Sequence, residues 1–260
     1  MIKRVIVDLV KYKSYIIFSA KSSLKAEVNN AYLDWLWWVL EPIGYSIIYI
    51  LIFQNIFKTS AEHYPIFVFC GSVIWNFFSK SVSSSVQLIR NNENIIAKVY
   101  IPKYILLIVE MLVNTFKLAI NILIVFGMML LYGVSFSGKM FLAIPVIILL
   151  FLFTFGMGVI CMHIGVYIED LSYVMNIGLN MLMFLSGTFY SMDSFPAPYG
   201  ELLTRFNPIA FIITSFREVV IYDTFFDYFV WAIWSIVSFV LCLFGMSIVY
   251  RNENNYVKVI

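Results

Sequence analysis

The chain has 260 residues, of which 62% are hydrophobic and only 12% charged, with a formal net charge of +2. Soluble globular proteins contain about 45–50% apolar and about 25% charged residues, so the composition excludes the soluble and the disordered classes. The apolar stretches are continuous, whereas the strands of a transmembrane β-barrel alternate apolar and polar residues. The small net charge gives no reason to expect nucleic-acid binding. The sequence therefore predicts an all-α polytopic membrane protein.

The first 30 residues are basic and only partly apolar. Apolar side chains alternate there with lysines, a pattern that fits a helix lying on the inner membrane surface with its lysines near anionic head groups. We therefore expect residues 1–30 to form a cytoplasmic amphipathic interface helix. The alternative is a solvated basic tail that only sets the topology. No long apolar core precedes a small-residue cleavage site, so a cleavable signal peptide is not expected.

Six apolar stretches follow within a predicted transmembrane domain of residues 31–260. The predicted spans are 35–57, 65–87, 104–132, 141–167, 173–190 and 229–250. With the N-terminus inside, 11 Lys and Arg residues lie on the inner side and four on the outer side. An excess of basic residues marks the cytoplasmic side, so both termini are expected in the cytoplasm.

The outer segment 191–228 contains prolines yet stays rich in apolar residues. Asn207-Pro208 is a good helix start, with Asn as the N-cap and Pro at the first helical position. The helix that follows is too short to cross a membrane. We therefore predict an outer re-entrant helical hairpin, whose marked residues are Tyr190, Asn207, Pro208, Arg217 and Glu218.

Polar residues form a stripe on each of two successive spans. Span 3 carries Glu110, Asn114, Lys117 and Asn121, and span 2 carries Asn76, Lys80, Ser83 and Gln87. These spacings place each set on one helical face. Lys80 and Glu110 both lie about 10 Å deep by helix rise, which predicts an ion pair, with Glu41 as the alternative partner. The stripes form either a polar pathway or hinge, or pairs that hold helices together.

No residues in the chain are expected to hold ATP or a metal. The stretch Gly133–Met140 resembles a phosphate-binding P-loop, but Met140 stands where that motif needs Ser or Thr, and the segment joins two spans on the outer side. His63 and His163 are isolated, and the cysteines lie in apolar stretches. The sequence thus predicts a transport protein without its own energy source, and not an enzyme.

Four short motifs resemble, in order and spacing, those of ABC-2 type permeases, the transmembrane subunits of polysaccharide exporters. They are Ala31–Pro42 (AYLDWLWWVLEP), Glu169-Asp170-Leu171, Phe184–Tyr190 (FLSGTFY), and Asn207–Phe211 followed by Phe216-Arg217-Glu218. In the second motif Glu169 stands where the family usually has arginine.

The resemblance implies a homodimeric permease in the bacterial cytoplasmic membrane, working with two copies of a separate ABC ATPase that binds ATP and magnesium. It implies that the cargo is an undecaprenyl-linked glycan of the O-antigen, capsule, rhamnan or teichoic acid type. It also implies that Leu88–Pro102 couples to the ATPase, through Arg90, Asn91, Asn92, Glu93 and Lys98. The residues expected at the cytoplasmic gate or interface are Trp35, Trp37, Trp38, Glu169 and Asp170.

Three other functions stay open at this point. They are an ABC-2 exporter of drugs or lipids, a membrane-embedded glycosyltransferase, and a proton-coupled carrier that uses Lys80, Glu110 and Lys117. The short N-terminus and the tryptophan motif favour a glycan over a drug or lipid. The carboxylates Glu41 and Glu110 are isolated in sequence, which disfavours an enzyme.

Overall fold

The computed structural model describes residues 2–29, 33–55 and 63–259, and every regular element in these ranges is helical. The helices are α1 (Ile2–Lys11), α2 (Lys13–Val28), α3 (Trp37–Asn55), α4 (Tyr64–Val86), α5 (Leu88–Asn91), α6 (Glu93–Ile96), α7 (Lys103–Tyr132), α8 (Ala143–Tyr167), α9 (Leu171–Leu185), α10 (Tyr199–Phe206), α11 (Pro208–Val220) and α12 (Tyr228–Val259). Short 3₁₀ turns occur at Asp34–Leu36, Gly138–Leu142 and Met192–Ser194. The all-α prediction is therefore confirmed.

Four helices in the described ranges are long and apolar enough to cross a membrane: α4, α7, α8 with its preceding turn, and α12 as far as Glu253. The second to fourth predicted spans begin and end within one or two residues of α4, α7 and α8. At the first and fifth predicted spans the structure has shorter apolar stretches, Trp37–Phe53 in α3 and Leu171–Leu185 in α9. Residues 56 and 57 of the first predicted span lie outside the described ranges.

The fifth predicted span, 173–190, ends five residues too late, because α9 stops at Leu185. Gly187 takes a φ of +63°, a left-handed conformation that glycine adopts at little cost and that ends helices. The residues from 186 to 190 are not helical, and they combine Ser186, Gly187 and Thr188 with two aromatic residues. The aromatic residues at the end of this segment explain why the predicted span was placed too long.

Helix α4 forms the centre of the bundle. Pro65 lies in its first turn, where its fixed φ suits the helix. Most of its side chains are buried, and it contacts α3, α7, α8, α9 and α11. At Gly165 of α8 an added Cβ would lie 2.0 Å from the Val86 carbonyl oxygen, so the two backbones meet directly. Small residues allow this close packing between helices in membranes.

The N-terminal helices pack along the start of α7. Ile16 and Ala20 of α2 are buried against Tyr104 and Ile105 of α7. The Tyr104 hydroxyl donates a 2.6 Å hydrogen bond to the Asp8 carboxylate of α1. The described part of this segment is therefore fixed to the bundle by both apolar and polar contacts.

Helix α12 continues nine residues beyond the predicted end of the last span at residue 250. Its final turns contact earlier parts of the chain. The Tyr100 hydroxyl donates to the Glu253 carboxylate at 3.1 Å, and the buried Tyr256 hydroxyl lies 2.7 Å from Nδ1 of His163. The C-terminal residues thus belong to the packed structure.

Candidate functional site

The polar stripe of α7 contacts α4 at one buried hydrogen bond. The Asn114 side-chain amide of α7 donates to the Ser81 hydroxyl of α4 at 3.0 Å, in a buried contact. Two polar cavities flank this contact, and between them they contain every residue of the two stripes.

The first cavity, which we call the tryptophan cavity, has a volume of about 410 Å³ and lies between α2, α3, α4 and α7. Helix α3 contributes two indole rings and a carboxylate, and α4 and α7 contribute lysines and amides. Its polar and aromatic lining comprises Glu27, Trp37, Trp38, Glu41, Asn76, Phe77, Lys80, Asn114, Lys117 and Asn121. The structure thus joins the tryptophan motif to five of the six predicted intramembrane polar residues, and Glu110 is the exception.

The second cavity, the serine cavity, has a volume of about 560 Å³ and lies between α4, α5, α7 and α9. It is lined mainly by hydroxyls and amides: Ser83, Ser84, Gln87, Asn91, Asn92, Ser172 and Asn176, together with Glu110. Asn91 and Asn92 belong to the predicted coupling segment. The polar stripes therefore run from that segment to the tryptophan cavity.

The predicted Lys80–Glu110 ion pair is wrong, and the alternative partner is correct. Lys80 Nζ lies 3.2 Å from Glu41 Oε1. Glu110 lines the serine cavity, while Lys80 lines the tryptophan cavity. The position of each residue along its helix predicts how deep its side chain lies. It does not predict the direction in which that side chain points. Charges inside a membrane usually face the protein interior or water, and this pair does so.

A second ion pair in the tryptophan cavity was not predicted. Lys117 Nζ lies 2.7 Å from Glu27 Oε2, and the Trp38 indole N–H donates to the same carboxylate at 3.3 Å. Glu27 lies in the last turns of α2, so it reaches the cavity only because α2 packs on α7. A lysine within an apolar span indicates that a carboxylate must lie nearby, but the sequence does not identify which one.

The predicted coupling segment and the predicted gate loop are in direct contact. Arg90 of α5 lies 2.8 Å from Glu169 Oε1 in the turn between α8 and α9, and it donates to the Val166 carbonyl at 3.1 Å. Asn92 donates to the Leu88 carbonyl at 2.8 Å and so stays within its own turn. Glu169 is thus the acidic partner of Arg90.

The remaining predicted inner residues are more dispersed. Glu93 begins α6, and Lys98 and Asp170 are exposed. Trp35 lies in a 3₁₀ turn with 55% of its surface exposed, and it does not line the tryptophan cavity. The three tryptophans therefore do not form one cluster.

The segment 191–228, which the sequence predicts to lie on the outer side, contains a buried arginine. Arg217 of α11 is 3% exposed and donates hydrogen bonds to the carbonyls of Phe67, Gly187 and Thr188 at 3.0, 2.7 and 2.6 Å. Its guanidinium carbon lies 3.5 Å from the centre of the Phe67 ring. The sequence singled out Arg217 without predicting that it bonds to buried carbonyls. The signal was present, because an arginine within an apolar helix needs buried hydrogen-bond acceptors.

Residues around Arg217 complete the outer site. Asn207 caps α11 by accepting from the N–H groups of Ile209 and Ala210, so the predicted helix start is correct, and Pro208 occupies the first turn. The Asn207 amide also donates to the Ser186 hydroxyl at 3.0 Å. Tyr190 donates to the Phe184 carbonyl. This part of the chain is thus held by bonds between α11 and the turn after α9.

Glu218, beside Arg217, has an altered acidity. Burial, followed by the negative charges of Asp193 and Asp227, raises the pKa of the Glu218 carboxyl to about 7. This carboxyl therefore titrates near neutral pH, unlike an exposed glutamate.

Comparison with known proteins gives a consistent picture. The family described as ABC-2 type transporter matches residues 18–221. The chain is 22% identical over 246 residues to the O-antigen export system permease protein RfbA of Klebsiella pneumoniae, covering 94% of both chains. It is 26% identical over 220 residues to RfbA of Myxococcus xanthus, covering 83% of this chain and 84% of the relative. It is 25% identical over 191 residues to the polysialic acid transport protein KpsM of Escherichia coli, covering 72% and 74%.

Proposed function

Because the chain belongs to the ABC-2 type transporter family, we propose that it is the membrane-spanning subunit of an ATP-driven exporter of a lipid-linked polysaccharide. The observation that carries this proposal is the similarity to an O-antigen export permease over 94% of both chains. The similarity to a polysialic acid transport protein supports a glycan cargo over a drug or lipid. The chain is a transport subunit, and a separate ATPase hydrolyses ATP.

The proposed arrangement in the bacterial cytoplasmic membrane has six spans and both termini in the cytoplasm. The 19 residues of α3 would extend about 28 Å at a rise of about 1.5 Å per residue, close to the thickness of the hydrocarbon core. The non-helical residues 186–190 would extend the shorter α9 towards the outer surface. Helices α10 and α11 would form the outer re-entrant hairpin, and α1 and α2 the inner interface helix.

In the proposed mechanism the partner ATPase acts on the segment from Leu88 to Pro102. Two copies of this chain would work with two copies of the ATPase, and the cargo would be an undecaprenyl-linked glycan. The Arg90–Glu169 contact supports this role, since it would pass a displacement of α5 to the turn that begins α9. The polar stripes of α4 and α7 would offer hydrogen-bonding partners inside the bundle to water and to the hydroxyl groups of the glycan.

Depletion of the protein tests the function itself. Cells that lose the permease but keep polymer synthesis are expected to accumulate the lipid-linked glycan on the cytoplasmic side. The measurement is extraction of lipid-linked glycans from spheroplasts, with and without external glycosidase. Depleted cells that show normal surface polymer and no internal accumulation would contradict polysaccharide export.

Charge exchange tests the coupling role. Arg90→Glu and Glu169→Arg should each reduce export, and the double exchange should restore part of it, because the pair is rebuilt with opposite polarity. Export should fall without loss of membrane insertion, and copurification of the ATPase should fall in Arg90→Glu. The control is Arg251→Glu, which makes the same charge change at an exposed position of α12. Normal export and copurification in Arg90→Glu would refute the assignment.

A further inference from the structure

We propose that the tryptophan cavity is a binding site, formed within one protomer, for one or two neutral sugar residues of the exported polymer. This inference rests on the proposed function, because it assumes that the cargo is a glycan. The site combines charge balance, an unpaired amide group and exposed indole surface, and each of these favours a saccharide over an anion.

The charges that line the cavity are balanced. Its two ammonium groups, Lys80 and Lys117, are each held by a carboxylate at 3.2 and 2.7 Å. A phosphate group would have to compete with Glu41 or Glu27 for a lysine that is already neutralised. A neutral polyhydroxyl ligand can instead hydrogen-bond to the remaining lone pairs and protons of both pairs without separating them.

The cavity also contains an amide group without a protein partner. Asn76 is half-buried, lines the cavity, and has no hydrogen-bond partner in the described ranges of the chain. An amide can both donate to and accept from the hydroxyl groups of a sugar, whereas a phosphate diester can only accept.

The aromatic wall fits the apolar face of a sugar ring. Trp37 is 49% exposed and lines the cavity. Trp38 is fixed by its bond to Glu27 and by an edge-to-face contact with Phe116 at 5.6 Å between ring centres. Indole rings offer a rigid apolar surface beside polar groups. The volume of about 410 Å³ lies within the range of about 300–1,000 Å³ for small-molecule sites.

Photo-crosslinking in cells that make the polymer tests the site. The photoreactive residue benzoylphenylalanine replaces Trp37 in the full chain, which keeps an aromatic group at the position. The matched control replaces Phe239 of α12, which is also 49% exposed but does not line either polar cavity. After irradiation, the masses of the crosslinked peptides are measured. We expect sugar-residue mass increments at position 37 and phospholipid masses at position 239.

A second variant tests the polar part of the site. Asn76→Ala, combined with the crosslinker at position 37, should lower the yield of the glycan adduct about fivefold, as expected for loss of one hydrogen bond. An unchanged yield would overturn the role of Asn76 and with it the hydrogen-bonding argument.

The outcomes separate this inference from the proposed function. Phospholipid alone at position 37, or equal glycan adducts at both positions, would overturn the saccharide site while the depletion experiment still shows export. Failure of the depletion experiment would overturn the proposed function, and the saccharide site would fall with its premise.

Discussion

Replacement of Arg217 by methionine tests the buried guanidinium. The substitution keeps a long flexible side chain but removes three hydrogen bonds to backbone carbonyls. No backbone N–H in the described residues donates to the Gly187 or Thr188 carbonyl, so both would be left buried and unpaired. Each orphaned carbonyl costs about 1–3 kcal/mol. Methionine does not carry the desolvation cost of a buried guanidinium, and this offsets part of the penalty. We therefore expect the free energy of unfolding to fall by about 3 kcal/mol.

The assay is thermal denaturation of the purified chain in detergent, together with its yield from the membrane. The matched control is Arg205→Met, where the arginine is exposed and pairs with Glu201 one turn away. That change should cost no more than about 0.5 kcal/mol, as for surface ion pairs. Arg217→Lys, which keeps the charge but not the planar fork of donors, should lie between the two. Equal melting temperatures for Arg217→Met and Arg205→Met would refute the reasoning.

Three further predictions concern packing, charge and pH. Gly71→Ala should destabilise the chain, because the added Cβ would lie 2.3 Å from the Arg217 guanidinium. Gly127→Ala, whose added Cβ would meet no atom within 4 Å, should instead stabilise the chain by about 0.5–1 kcal/mol. Lys80→Glu with Glu41→Lys should recover export better than either single variant, and equal loss in all three would contradict the pair. Because the folded pKa of Glu218 is raised to about 7, stability should fall as pH rises from about 4.3 to about 7. Glu218→Gln should flatten that part of a melting-temperature profile, and an unchanged slope would contradict the shift.

Local sequence chemistry predicted the parts of the fold that depend on neighbouring residues. The bounds of α4 and α7 follow from long apolar runs that end at polar or breaking residues, such as Gln87 and Gly133. Asn207-Pro208 predicted a helix start because the cap is made by the chain's next few N–H groups. The end of α9 was missed because Gly187 turns the backbone before the aromatic pair Phe189-Tyr190, which had been counted as part of the span.

Contacts between distant segments could not be predicted in the same way. Lys80 and Glu110 have matching depth, but the orientation of α3 decides that Glu41 is the partner. Arg217 bonds to Phe67, 150 residues earlier in the chain, and no local pattern specifies that distance. The pairing of Arg90 with Glu169 likewise depends on how α5 meets the end of α8.

The part of α12 beyond residue 250 has a structural role, because its side chains bond to earlier segments of the chain. At about 1.5 Å per residue its 32 residues measure about 48 Å, well beyond a hydrocarbon core of about 30 Å. A gene truncated after residue 251 would remove Glu253 and Tyr256, and so the hydrogen-bond acceptor of Tyr100 and the partner of His163.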